Sequence, residues 1–133
     1  VAAYLRNADI ALPLHDHRRS VGDEFSEVIA AGVDHPWRVR EQEYFLKQYA
    51  PAVLSETPYW TAIILRRRTE AADRAMDVWI DCVLHHSRRD QLSVNFALTS
   101  TDTPVTPIRI SNFESDIHRW LREDVLKKRR DLL

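Results

Sequence analysis

The spacing of apolar positions along the chain predicts several helices joined by short strands. Apolar side chains between residues 25 and 29 recur at helical spacing, with Ser20 before them and Gly32 after them. Ser and Gly are favoured at helix N-caps and C-caps respectively, so a helix is expected between them. Similar stripes predict helices over residues 35–50, 69–85, 87–98 and 114–130, and residues 1–8 resemble the end of a helix.

Three shorter apolar segments, residues 10–14, 59–65 and 105–110, are candidate strands. Residues 59–65 are aromatic, β-branched and nearly continuous in apolarity, which predicts a central strand covered on both faces. Pro13 has no N–H for a sheet ladder, so residues 10–14 are expected at an edge or a strand end. The fold class is therefore helix-rich α/β, with about five helices and three short strands. Strands so distant in sequence favour a sheet whose other members lie elsewhere.

Composition narrows the possible classes of function. The 133 residues include 19 Lys and Arg against 20 Asp and Glu, so no charge excess points to nucleic acid or an anionic membrane. Cys82 is the single cysteine, which excludes an intrachain disulfide framework and a multi-cysteine zinc site. No apolar run is long enough to predict a transmembrane segment. The two glycines, against about nine for average usage, exclude a P-loop and a Rossmann fingerprint.

Residues 87–93, Ser-Arg-Arg-Asp-Gln-Leu-Ser, are the most polar block beside an apolar helix. Ser87 and Asp90 have the spacing of a capping box, with the arginines facing water. The same segment also fits a binding role, in which Asp90 accepts hydrogen bonds from hydroxyl groups at a helix start. Arg88 and Arg89 would then pair with phosphate.

Two other polar segments are candidates for binding. Residues 66–68, all arginine, follow the predicted strand 59–65, and ligands of open α/β sheets lie beyond the carboxyl ends of strands. They could hold a diphosphate, or form a solvated basic turn. His15 and His17 would point to the same side of an extended segment, a geometry that can bind Zn²⁺ or Mn²⁺. A solvated loop end is the alternative for these histidines.

Six blocks in order carry a resemblance to a known family. They are residues 11–17, residues 21–24, residues 39–42, Glu56 with residues 63–67, Met76 with Trp79, and residues 87–93. Together they resemble a glycosyltransferase-like family first catalogued as a domain of unknown function, with plant Golgi members linked to cell-wall and mucilage polysaccharides and bacterial members near polysaccharide genes. Gly22 stands where that family has an aromatic residue, and Leu46 where it has tyrosine.

The resemblance implies a GT-A-like fold and transfer of a sugar from a nucleotide-sugar donor to a glycan acceptor, in polysaccharide biosynthesis. Residues 1–133 would be a single domain that forms the later half of the catalytic unit, inactive alone and cytoplasmic if bacterial. A divalent cation, Mn²⁺ or Mg²⁺, is implied, with its acidic motif upstream of this chain. The implied catalytic residues are Asp90 and Gln91, and the implied donor- or phosphate-binding residues are Arg66, Arg68, Arg89, His15 and Glu56.

The site hypothesis expects Asp90, Gln91, Arg66 and His15 to converge in one cleft. Two other classes of protein remain open. A non-enzymatic helical interaction module would expose Trp37, Trp60 or Trp120 in a contiguous apolar patch and lack a polar cleft. A small metal-binding domain would use His15, His17 and one further ligand.

Overall fold

Four α-helices and a small sheet form the main elements of residues 1–119, which are the residues that the computed structural model describes. The helices are α1 (Val21–Ala31), α2 (Pro36–Tyr49), α3 (Glu70–His85) and α4 (Val94–Ser100), and the 3₁₀ turns are Pro51–Ser55 and Asp90–Leu92. The strands are β1 (Ile10–Pro13), β2 (Leu65–Arg66), β3 (Val105–Ile108), β4 (Glu114–Ser115) and β5 (His118–Arg119). The prediction of a helix-rich α/β domain is confirmed. No helix within residues 1–119 is long and apolar enough to cross a membrane.

Local sequence signals set the ends of two helices as predicted. Ser20 Oγ accepts a hydrogen bond from the Asp23 N–H at the start of α1, and Gly32 closes that helix in the left-handed conformation with φ 62°. Thr69 caps α3 by accepting from the Ala72 N–H. These side chains satisfy backbone groups that a helix end leaves without intrahelical partners.

Strand β1 is the centre of the three-stranded sheet, with β2 antiparallel on one side and β3 parallel on the other. The prediction that residues 59–65 form the central strand is wrong. Tyr59 makes only an isolated bridge to Leu14, and the short strand Leu65–Arg66 lies at one edge of this sheet. Pro13 is accommodated in β1 because it is the last residue of the strand, where its carbonyl accepts from the Trp60 N–H.

Burial explains why β1 takes the central place. All four of its side chains are buried, whereas residues 60–64 alternate between half-buried and exposed. Ile10 and Leu12 pack with α3 and α4, while Ala11 faces Leu5 and Ile108 on the other side of the sheet. A second apolar cluster joins α1 and α2 around Phe25.

Three further expectations about elements differ from the structure. Residues 1–8 form turns and a bend, because so short a segment gains too few intrahelical hydrogen bonds to sustain a helix. The predicted helix over residues 114–130 does not begin at Glu114, since β4 and β5 pair there as a hairpin closed by the ion pair between Glu114 and Arg119. The rest of that helix lies outside the described residues. The predicted helix over residues 87–98 is a 3₁₀ turn, Asp90–Leu92, followed by α4, which begins only at Val94.

Candidate functional site

The two parallel strands of the sheet end side by side and open onto a polar cleft. Beyond Pro13 and Ile108 the chain continues into two loops that line a cavity of about 560 Å³. His15 and Asp16 come from the loop after β1, and residues 109–111 from the loop after β3. Ligands of open α/β sheets lie outside the carboxyl ends of parallel strands, so this edge is the candidate site.

His15 is held in one tautomer by the backbone that follows it. Its Nδ1 accepts the N–H groups of His17 at 3.4 Å and Arg18 at 3.2 Å. Burial, the nearby His17 and then the Arg18 charge lower the pKa of His15 below its usual 6.5, although Glu24 opposes this. The imidazole is therefore neutral near pH 7, and its proton is on Nε2, where it can donate to a ligand.

Glu24 connects the loop after β1 to residues 90–92. It lies in the first turn of α1 and is only 5% exposed. Its Oε2 accepts from Arg18 Nε at 2.9 Å, and its Oε1 accepts from Gln91 Nε2 at 3.1 Å. Both carboxylate oxygens are thus satisfied, one by a charged donor, as a nearly buried carboxylate requires.

Asp90 and Gln91 both bond to Thr61 but do not line the 560 Å³ cleft, and Asp90 lines a separate apolar pocket beside Trp79. Asp90 Oδ1 accepts from Thr61 Oγ1 at 3.0 Å, and Gln91 Oε1 accepts from the Thr61 N–H at 3.4 Å. The neighbouring Trp60 N–H donates to Pro13 O at 2.7 Å, which anchors Thr61 near the end of β1. Hydrogen bonds therefore run from Asp90 through Thr61, Gln91 and Glu24 to Arg18, whose N–H contacts His15.

The serines at the two ends of segment 87–93 have a different role. Ser87 and Ser93 are both 0% exposed, and Gln42 of α2 bonds to both. Ser87 Oγ donates to Asp34 Oδ2 at 2.6 Å and accepts from the Arg89 N–H, so it does not act as the predicted capping box with Asp90. The hydrogen bond from Ser87 is the main cause of the lowered pKa of Asp34, helped by backbone N–H groups.

Arg66 and Arg68 lie at the opposite end of the strands, beside the first residue of β1. Strand β2 is antiparallel, and Arg66 pairs with Ile10, the first residue of β1. At a rise of about 3.3 Å per residue, His15 is roughly 16 Å away along the strand direction. Arg66 forms an exposed ion pair with Asp73, and Arg68 is exposed. The structure thus does not bring Arg66 together with His15, because the carboxyl end of an antiparallel strand points away from that edge.

Glu56 and Arg89 also lie apart from this cleft. Glu56 lines a different cavity, beside Asn95 and Thr99 of α4, while its neighbour Thr57 lines the cleft at the sheet edge. The Arg89 side chain is exposed, and its backbone N–H donates to Ser87 Oγ. Of the residues implied by the family resemblance, His15 is the one that lines this cleft among residues 1–119, so the expected convergence in one cleft is wrong. Asp90 and Gln91 are connected to His15 only through the hydrogen bonds described above.

The segment 15–17 brings three potential metal ligands within 4.8 Å of one another. Their hydrogen bonds argue against a preformed metal centre. Asp16 accepts from His17 Nδ1 at 2.6 Å and from the Asn112 N–H at 2.9 Å, and His15 Nδ1 accepts backbone N–H groups. Mn²⁺ and Mg²⁺ prefer several oxygen ligands, and this cluster offers one carboxylate. The residues present therefore do not fit the implied cation.

Pattern reasoning missed four residues of this edge: Arg18, Glu24, Thr61 and Arg109. Arg109 directly follows β3 and makes no hydrogen bond or ion pair with any of residues 1–119. Its position directly after an apolar strand indicates a site residue only when that strand is known to be parallel to β1. Glu24 looked like an ordinary acidic residue in the first turn of a helix.

Two observations bear on the alternative of an interaction module. Trp37 is 61% exposed, as the interaction-module alternative predicts. That alternative also predicts that no polar cleft is present, and the cleft beyond β1 and β3 disagrees with it. Trp60 is half-buried, and Trp120 lies outside the described residues.

In comparisons with models of protein families, with curated proteins and with solved structures, nothing matches this chain.

Proposed function

We propose that this chain is part of a glycosyltransferase domain and binds a nucleotide-sugar donor at the carboxyl edge of its parallel strands, for transfer to a glycan acceptor. The observation that carries the proposal is a series of hydrogen bonds through Asp90, Thr61, Gln91, Glu24 and Arg18. It ends at His15, which lines the cleft at the edge where α/β sheets bind ligands. The order of sequence blocks that resembles a glycosyltransferase-like family supports the same class.

Sugar transfer forms a bond between an acceptor hydroxyl oxygen and the anomeric carbon and breaks the bond to the nucleotide phosphate. The acceptor proton must be removed, and the leaving phosphate gains negative charge. In our proposal Asp90 accepts the hydroxyl proton. Its carboxylate has Thr61 as its one side-chain donor within residues 1–119, so acceptor capacity remains.

Arg109 and His15 are suited to the phosphate. Both line the 560 Å³ cavity, and Arg109 has no partner within residues 1–119. An unpaired guanidinium binds phosphate oxygens bidentately, and the His15 Nε2–H can donate to a third oxygen. Asp16 lines the same cavity, but hydrogen bonds from Asn112 and His17 engage its carboxylate. We therefore assign the phosphate role to Arg109 in place of Arg66 and Arg68.

Nucleotide-sugar titration of the ¹⁵N-labelled chain tests the proposal, with and without Mn²⁺ because the family resemblance implies a divalent cation. We expect the largest amide shift changes at residues 15–18, 61, 91 and 109–111. Arg109→Gln should weaken binding at least tenfold, because it removes a charged donor to phosphate. The matched control Arg68→Gln, at the opposite edge, should leave the affinity unchanged.

Two outcomes would contradict the assignment. In one, no nucleotide-sugar changes the spectrum at millimolar concentration. In the other, Arg68→Gln weakens binding as much as Arg109→Gln, which would place the phosphate at the opposite edge of the sheet.

A further inference from the structure

A second cleft lies on the other side of segment 56–59 and is lined by hydrogen-bond acceptors. It measures about 410 Å³ and lies between α4, Tyr59 and the loop that enters β3. Glu56, Asn95 and Asp102 line it, together with the Thr99 side chain. It shares no lining residue with the cleft at the carboxyl edge of the sheet.

Asn95 provides the observation that points to a ligand. Its side chain is 1% exposed, and its Nδ2 donates to Glu56 Oε2 at 2.9 Å and to Thr57 O at 3.1 Å. Because both partners can only accept, the amide orientation is fixed and Oδ1 points away from them. No donor reaches this buried oxygen from the described residues. A buried acceptor without a donor is unfavourable, so a ligand that supplies one is favoured.

The charge around the cleft selects the kind of donor. Glu56 and Asp102 are its ionisable carboxylates, and the lining within residues 1–119 includes no Lys, Arg or His. Glu56 forms no ion pair with those residues. Arg67 lies in a neighbouring cleft beyond Thr103, where its guanidinium donates to Leu5 O. The unpaired negative charge and the unpaired Asn95 oxygen both favour a cationic donor.

We propose that this cleft binds a small organic molecule through a primary ammonium group, with Asn95 Oδ1 and the Glu56 carboxylate as its acceptors. A bare metal ion fits less well, because the described lining offers only two carboxylates, Glu56 and Asp102, and one unpaired amide oxygen, Asn95 Oδ1. Ca²⁺ would need six to eight oxygen ligands. The volume also suits a molecule of monosaccharide size better than a single ion. This site is independent of the proposed sugar transfer.

Glucosamine and glucose are a matched pair of probes, since they differ in an ammonium group against a hydroxyl on the same ring. At a pH where the amine is protonated, we expect glucosamine to bind the ¹⁵N-labelled chain at least tenfold more tightly than glucose. The Asn95 side-chain amide and the backbone amides of residues 99–103 should shift most. Equal responses to the two sugars, or no shift at the Asn95 amide, would overturn the proposal, as would a CaCl₂ titration that reproduces the glucosamine response.

Two variants test the negative charge of the cleft, which Glu56 and Asp102 supply. Glu56→Gln removes the charge and keeps an acceptor for Asn95 Nδ2, and it should weaken glucosamine binding about tenfold. Asp102→Asn should weaken it about threefold. Asparagine tolerates the left-handed backbone at this exposed position, where φ is 51°. Asp77→Asn, an exposed acid on α3, is the control and should leave the affinity unchanged.

If Glu56→Gln fails to fold, Asp102→Asn and the comparison of glucosamine with glucose test the proposal. Wild-type affinity for glucosamine in Asp102→Asn contradicts it.

Discussion

The two parts of segment 87–93 differ in what their polar side chains contact. Ser87 and Ser93 are fully buried and bond to Gln42, and Ser87 also bonds to Asp34. Asp90 and Gln91, between them, are half-buried and connect through Thr61 and Glu24 to the edge of the sheet. One short polar sequence therefore contains both a structural network and the candidate ligand-binding pair.

The contrast shows how a surface site is held in place. The buried network ties the end of α3 to α2, and the 3₁₀ turn Asp90–Leu92 follows directly, so Asp90 is presented from a fixed backbone. Fully satisfied buried polar networks specify a unique arrangement, whereas a ligand-binding carboxylate needs unused acceptor capacity. Substitutions in the two networks should therefore have different effects.

Asp34→Ala should have the largest effect on stability. The Ser87 hydroxyl and the backbone N–H groups of His35 and Arg88 would lose their shared acceptor. Loss of a buried carboxylate with three donors should lower the free energy of unfolding by about 3 kcal/mol. Urea unfolding followed by circular dichroism measures it. A loss below about 1 kcal/mol would mean that this network does not hold the segment.

Glu24→Gln should cost less, about 2 kcal/mol in the same urea experiment. The substitution keeps the size of the side chain, but it replaces a charged acceptor of Arg18 and Gln91 by an amide. Glu27→Gln on the same helix is the matched control, since Glu27 pairs with Arg18 only at 3.9 Å and from an exposed position, so it should change the value little. Equal values for the two variants would remove Glu24 as the link between the two loops.

The pH dependence of stability should report on His15. Its pKa is lowered in the folded chain, so the unfolded chain binds more protons once the pH falls below about 6.5, and stability declines there. His86, whose pKa burial also lowers, contributes in the same direction. His15→Asn keeps an acceptor for the backbone N–H groups and should reduce this decline. An identical decline in wild type and variant between pH 7.5 and 5.5 would contradict the assignment of a buried neutral imidazole.

Arg66→Gln should have the smallest effect. Its ion pair with Asp73 is exposed on both sides, and such pairs contribute less than about 1 kcal/mol. Because the pair lies at the opposite edge of the sheet, nucleotide-sugar affinity should not change. A several-fold loss of affinity would extend the candidate site to that edge.

The sequence predicted well those features that depend on neighbouring residues. The caps Ser20, Gly32 and Thr69 follow from local backbone chemistry, and the helix-rich α/β class follows from apolar spacing. Strand order could not be predicted locally. The apolar run 59–65 looked more like a central strand than residues 10–13, and only tertiary burial decided between them.

Strand direction also determines which of the predicted site residues reach the cleft. Residues 66–68 lie at the end of an antiparallel strand, so its carboxyl end is at the opposite end of the sheet from those of β1 and β3. The rule that ligands lie beyond strand carboxyl ends, applied to β1 and β3, leads to His15 and Arg109. The arrangement of Asp90 and Gln91 depends on Thr61 and Glu24, which are distant in sequence and come together only in the folded chain.

Asp90→Asn tests the central claim most directly, with unfolding and nucleotide-sugar binding measured on the same preparation. Asparagine keeps an oxygen that can accept from Thr61, so the free energy of unfolding should change by less than about 1 kcal/mol. The affinity for a nucleotide-sugar should fall at least tenfold, because the carboxylate is lost as an acceptor for hydroxyl groups. Unchanged affinity in a stably folded Asp90→Asn chain would contradict the account and leave segment 87–93 with a structural role alone.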